Sequence, residues 1–117
     1  MNAHPRWPLV STSFTSVPKE TIDQAKTLAD REDLPLWEFY VKAIEALQAD
    51  IEKGGDIPWP ASRGPGGSPY GVRLPEQTVS AIRKISNAHR VKRTTVFLFA
   101  LSRYISREGQ PTEHQPP

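Results

Sequence analysis

The sequence predicts a mostly α-helical domain in which a two-stranded antiparallel ribbon lies over four helices, all within one chain of 117 residues. Three observations predict it. The chain repeats itself at an offset of 57 residues; each copy reads as a short strand, a proline and two helices; and the second helix of each copy is apolar on nearly every side. A lone short strand leaves its backbone groups unpaired, so the economical arrangement pairs the strand of one copy with the strand of the other.

The repeat emerges when "SVPKETIDQAKTLADREDLPLWEFYVKAIEALQADI" (16–51) is set above "RLPEQTVSAIRKISNAHRVKRTTVFLFALSRYISRE" (73–108) without a gap. Pro18 falls on Pro75, Thr21 on Thr78 and Ala43 on Ala100. The apolar positions agree more widely than the identities, pairing Val17 with Leu74, Ile22 with Val79, Leu28 with Ile85, Leu34 with Val91, Tyr40 with Phe97 and Ile44 with Leu101.

In chain order, residues 1–10 have no periodicity and read as a disordered N-terminus. The first unit, 11–51, opens with an extended segment over about 11–17 that stops at Pro18, a residue suited to a helix start and unable to donate a strand hydrogen bond. Ile22, Ala25, Leu28 and Ala29 then give a helix with a narrow apolar stripe. Pro35 disfavours helix for Leu34, so the chain turns there before a second helix over about 36–52.

Residues 52–67 are rich in Gly and Pro and read as a linker, with Trp59 a candidate to pin it to the surface. Extended, such a segment reaches up to roughly 55 Å, enough to carry the chain to a second strand. The second unit, 68–108, repeats the pattern: a strand over about 68–74, a helix with Val79, Ile82 and Ile85 on its apolar stripe, and the apolar helix "VFLFALSRYI" within about 93–107. The tail 109–117 reads as disordered.

Composition excludes several function classes. With no cysteine there is no disulfide scaffold, thiolate metal site or cysteine nucleophile. His4, His89 and His114 are too dispersed for a metal site, no acid-base cluster is visible, and neither an enzyme activity nor a cofactor is expected. No apolar run is long enough for a signal peptide or a membrane span, and a cytoplasmic protein is expected.

Charge is uneven. Residues 1–60 carry six Lys/Arg against ten Asp/Glu, whereas residues 61–117 carry nine against three. The basic half suits a polyanion.

"PYGVRLPEQTVSAIRKISNAHRVKRTTVFLFALSRYI" resembles the ribbon-helix-helix DNA-binding family of the Arc and MetJ repressors, with an alternating strand ending in Arg-apolar-Pro, a helix, a turn and an apolar second helix. The resemblance covers 68–107 well and 11–51 less well. Members are usually homodimers in which each subunit lends one strand. Two copies in one chain look like the tandem form found among plasmid-transfer accessory proteins, such as TraY of conjugative relaxosomes and the T-DNA border-binding protein of the virulence C operon. The resemblance implies an intramolecular pseudo-dimer that binds double-stranded DNA as a monomer, able to sit side by side with other copies, and that marks an asymmetric transfer site for a separate relaxase.

Physical reading of the residues reaches the same interface. A two-stranded ribbon fits the major groove, where side chains on its outer face reach base edges. In the second strand Tyr70, Val72 and Leu74 are expected to face the core, leaving Arg73 and Gly71 outside, with Arg73 able to donate two bonds to guanine O6 and N7. Counting alternation back from Val17 in the first strand puts Thr12, Phe14 and Ser16 outside. A slip of one residue exchanges the two faces and buries Phe14 instead.

The start of each second helix, with free N–H groups and the positive dipole end, is a candidate phosphate site. In the second copy Lys92, Arg93, Thr94 and Thr95 add two cations and two hydroxyls; in the first, Leu36 and Trp37 add none, so two unequal clamps are expected. Arg83, Lys84 and Arg90 read as a solvated face, and Trp37, Phe39, Tyr40, Phe97, Phe99 and Tyr104 as core. Two other readings remain: a plasmid-borne transcriptional repressor or partition regulator with the same DNA chemistry, and a helical protein-interaction module whose strands only align the helices. A helix-turn-helix domain fits poorly, because "TTVFLFALSRYI" exposes too few polar residues to serve as a recognition helix.

Overall fold

The computed structural model describes residues 8–54, 56–60 and 67–109. Expectations for residues 1–7, for the middle of the linker and for the tail beyond 109 lie outside the described residues. The elements run β1 (Leu9–Val17), α1 (Lys19–Arg31), α2 (Leu36–Glu52), β2 (Ser68–Pro75), α3 (Glu76–His89) and α4 (Arg93–Gly109). The domain is small and mostly helical, with four helices and a two-stranded antiparallel sheet among the described residues. β1 starts earlier than its alternation suggests, taking Leu9 and Val10 from the segment expected to be disordered.

Each proline marks a change of backbone state. Pro18, Pro35 and Pro75 sit at the N-caps of α1, α2 and α3 with φ of −68°, −60° and −57° and with extended ψ. Their rings hold φ near the helical value while removing an N–H that the preceding strand or turn does not use. The first helix of each half ends alike. Asp33 and Arg90, 57 residues apart, take the left-handed conformation at φ 60° and 58°. Beyond each, an N–H reaches back to cap the helix: Leu34 N–H to the Ala29 carbonyl at 2.9 Å, and Val91 N–H to the Ser86 carbonyl at 3.1 Å. This six-to-one bond closes a helix end whose carbonyls would otherwise be orphaned.

β1 and β2 pair antiparallel, with Ser11 opposite Arg73, Ser13 opposite Gly71 and Phe14 opposite Tyr70. The register then shifts between Phe14 and Val17. Ser16 supplies the irregularity, with φ at 54° in the left-handed region. A bulge inserts one extra residue into one strand, so Phe14 and Val17 come to the same buried face although they are an odd three positions apart.

That insertion overturns the alternation counted back from Val17. Phe14 is 2% exposed and belongs to the core rather than the outer face. Thr12, opposite Val72, is half-buried on the inner face, and Ser16 is half-buried in the bulge. The slipped register is the one adopted, because the energy of burying an aromatic ring outweighs the strain of one left-handed serine.

The core forms where the inner ribbon face meets α2 and α4. Phe14 stacks on Phe97 of α4, ring centroids 4.3 Å apart and planes within 5°. Tyr40 of α2 meets Phe97 edge to face at 5.1 Å, and its hydroxyl lies 2.8 Å from that of Tyr70 in β2. Burial pushes the Tyr40 phenol far above its ordinary range, and the hydrogen bond to Tyr70 adds to the shift. Phe39, Ile44, Leu47, Val96 and Leu101 fill the rest of the centre, in keeping with second helices that are apolar on nearly every side. α1 and α3 cover it from outside through Ile22, Ala25, Leu28 and Ala29, and through Val79, Ile82 and Ile85.

Two polar ties hold the far ends together. Asp50 of α2 accepts from Arg103 at 2.5 Å and from Arg107 at 3.4 Å, both on α4. Trp59 packs against Phe99 at 4.9 Å between ring centroids and donates its indole N–H to His89 Nδ1 at 3.3 Å, which fastens this part of the linker to α3 and α4.

Candidate nucleic-acid interface

The outer face of the ribbon is built by alternation on both strands. On β2, Gly71 and Arg73 are exposed, while Leu74 is buried and Tyr70 and Val72 pack against the core, as the second strand's pattern predicts. On β1 the exposed set is Ser11, Ser13 and Thr15 in place of Thr12, Phe14 and Ser16. Among the ribbon residues Arg73 carries the one charge, and there is no carboxylate. The face therefore presents a guanidinium and three hydroxyls, each able to donate a hydrogen bond.

Gly71 has a distinct place on that face. A Cβ added there would meet nothing within 4 Å, so the glycine is not required by packing. It leaves the centre of the face low, opposite Ser13, with the long Arg73 side chain at one end.

At the other end the ribbon is tied to α4. The Thr15 N–H donates to Thr94 Oγ1 at 3.0 Å. The bulge disrupts regular pairing here, and the Thr94 hydroxyl satisfies the Thr15 N–H in place of a strand partner. The same tie sets the first turn of α4 beside the outer face of β1.

Between them lies a cleft of about 470 Å³ lined by Ser13, Thr15, Arg83, Ser86, Asn87, Lys92, Arg93 and Thr94. Among the described residues three cations and no carboxylate line it. Lys92 and Arg93 are the cations expected at the start of α4, and the structure brings them together with Thr94. Thr95 is half-buried and does not line the cleft. Arg83 is exposed, as expected of a solvated face, and α3 sets it at the cleft. A polar stripe at i, i+3 and i+4 was the available signal: Arg83, Ser86 and Asn87 flank the buried Ile82 and Ile85.

The start of α2 is different. Leu36 and Trp37 are half-buried and pack against the core. Glu38 stands in the first turn, and before it come Asp30 and Arg31 at the end of α1 and Glu32 and Asp33 in the turn, these four all exposed. Among the described residues of this corner the exposed charges are three carboxylates and one guanidinium. They oppose the positive end of the α2 dipole, so the two expected clamps differ in sign as well as in strength.

A concave, cation-lined cleft that runs into an acid-free ribbon can hold an anionic backbone while presenting donors to whatever lies against the ribbon. Among the described residues no group of three or more His, Asp or Glu could hold a metal ion, and no helix is long and apolar enough to cross a membrane. No family model, no curated protein and no solved structure matches the chain.

Proposed function

We propose that this protein binds double-stranded DNA sequence-specifically, as a single-chain ribbon-helix-helix pseudo-dimer whose β1–β2 ribbon enters the major groove. The observation that carries the reading is the continuity of the ribbon's outer face, free of carboxylates and bearing Arg73, with the cleft of Arg83, Lys92 and Arg93. A ribbon that width is admitted by the major groove, where Arg73 pairs with guanine and the hydroxyls of Ser11, Ser13 and Thr15 reach neighbouring base edges. The matched caps at Asp33 and Arg90, and the adjacent Ser13–Gly71 and Phe14–Tyr70 pairs that exchange under the 57-residue offset, support the pseudo-dimer.

Two diverged halves present unequal strands, so the preferred site is asymmetric rather than palindromic. An asymmetric site has a direction, which suits a protein that marks a plasmid origin of transfer or a T-DNA border for a separate relaxase. A plasmid-borne repressor or partition regulator would use the same face on a different site.

Selection from random duplexes at two salt concentrations tests the proposal. The expected outcome is a defined asymmetric sequence whose affinity falls about 5- to 150-fold in Arg73→Ala, the loss of one bidentate base contact. Equal binding of all duplexes, or full affinity in Arg73→Ala, would refute it and favour a protein-interaction module.

A further inference from the structure

Resting on the DNA-binding reading, we infer that the interface is polarised along the ribbon: the Ser11–Arg73 end reads a guanine, and the Thr15 end grips phosphates through Arg83, Lys92 and Arg93, so that the duplex backbone is held on one flank only.

The register supplies the first leg of the argument. Ser11 lies opposite Arg73, and Thr15 lies four residues further along β1. At about 3.4 Å per residue the two ends stand roughly 13 Å apart, comparable to four base-pair steps of B-DNA. The single ribbon cation is thus at the end away from the cation-lined cleft.

Helix packing supplies the second. α4 is bonded to β1 through Thr94 and Thr15, and α2 to β2 through Tyr40 and Tyr70. Each strand is therefore flanked by a different helix. On the β1 side the cleft offers Arg83, Lys92 and Arg93 with the hydroxyls of Ser13, Thr15 and Thr94. The Thr94 oxygen accepts from Thr15 N–H and lies 3.5 Å from the Thr15 hydroxyl, so the two hydroxyls stand together at the cleft. On the β2 side the α1–α2 corner offers the exposed carboxylates of Asp30, Glu32 and Asp33, with Arg31 as the cation among the described residues of that stretch. A phosphate approaching the first flank meets three cations within a concave site; one approaching the second meets an excess of carboxylates. Each helix begins with a positive dipole end, and the side chains around it decide which end is used.

Polarity has a functional consequence. The protein can seat on its site in one direction only, because reversal would put the acidic corner against the phosphates that the cleft now holds. A second protein meeting this complex would find base readout on one side and backbone clamping on the other.

Interference on the selected duplex tests the inference with the full chain. Phosphates are replaced one at a time by neutral methylphosphonates, and guanines one at a time by 7-deazaguanine, which lacks the N7 acceptor. The expected result is roughly tenfold weakening by methylphosphonates clustered on one flank, with a sensitive guanine toward the opposite end. Arg73→Ala should erase the 7-deazaguanine effect and keep the methylphosphonate profile. Arg83→Gln with Lys92→Gln should flatten that profile and keep the base preference. Both sets lie on exposed side chains, and circular dichroism confirms that the variants fold. Equal methylphosphonate effects on both flanks, or a sensitive guanine on the clamped flank, would overturn the polarity while leaving sequence-specific binding intact. Uniform binding to all duplexes would overturn both.

Discussion

Phe14→Ala is the sharpest test of how the ribbon is built. The ring is 2% exposed and lies flat against Phe97 at 4.3 Å between centroids. Truncating a buried phenylalanine costs about 3–5 kcal/mol, of which about 0.5–1.5 kcal/mol reflects the lost aromatic pair. With a urea m-value of about 2 kcal/mol per molar, that loss moves the unfolding midpoint down by roughly 1.5–2.5 M. Were Phe14 on the outer face, the same change would fall within about 0.5 kcal/mol of neutral. The two registers are thus separated by several times the error of a denaturation curve. Phe14→Leu, which keeps much of the apolar volume, should cost less than about 1.5 kcal/mol and provides a folded partner for DNA assays if the alanine variant unfolds. An alanine variant of near wild-type stability with impaired DNA binding would refute the buried register and the bulge that creates it.

Three further outcomes follow from the same geometry. Ser16→Gly should raise stability by up to about 1 kcal/mol in thermal unfolding, since a left-handed L-residue costs about 1–2 kcal/mol and the glycine returns about 0.5–1 of that as chain entropy. Thr94→Val removes the acceptor for the Thr15 N–H beside the bulge and should cost about 1 kcal/mol, with faster amide exchange at Thr15 as the local readout. The hydrogen bond from Arg103 holds the Asp50 carboxyl below the usual aspartate range. A depressed folded-state pKa stabilises above the unfolded value, near about 3.9, and that contribution is lost as pH falls through the folded value. Urea midpoints from pH 7 to pH 2.5 should therefore show wild type above Asp50→Asn at neutral pH, with the gap closing below about pH 4.

Much of the architecture is legible along the chain because its causes are local. Pro18, Pro35 and Pro75 constrain their own φ and the residue before them, so the strand-to-helix boundaries can be read from the residues themselves. The apolar stripes of α1 and α3 follow the helical period, and the wider apolar surface of α2 and α4 announces central helices. Arg73 and Gly71 are readable as outward residues because β2 keeps strict alternation from Tyr70 to Leu74.

The first strand was less transparent. Its residues LVSTSFTSV mix hydroxyls and apolar side chains so evenly that either face could turn inward, and Val17 points to one register while Phe14 points to the other. The bulge at Ser16 lets both be buried, and no local propensity announces it, since serine is not a residue that favours the left-handed region. Its cause is a ring on another helix: Phe97 stacks against Phe14 across 83 residues of chain.

The cleft has the same origin. Lys92 and Arg93 stand out in the sequence, whereas Arg83 joins them only because the left-handed turn at Arg90 folds α4 back beside α3. The sequence alone determined the repeated order of strand and helices, the two apolar central helices and the cation at position 73, all set by short-range sterics and hydrophobic period. Tertiary structure alone decided that Ser11, Ser13 and Thr15 form the outer face and that cations from α3, the following turn and α4 share one cleft. Those outcomes depend on which distant side chains compete for the same buried volume, and that competition has no signature within a single stretch of chain.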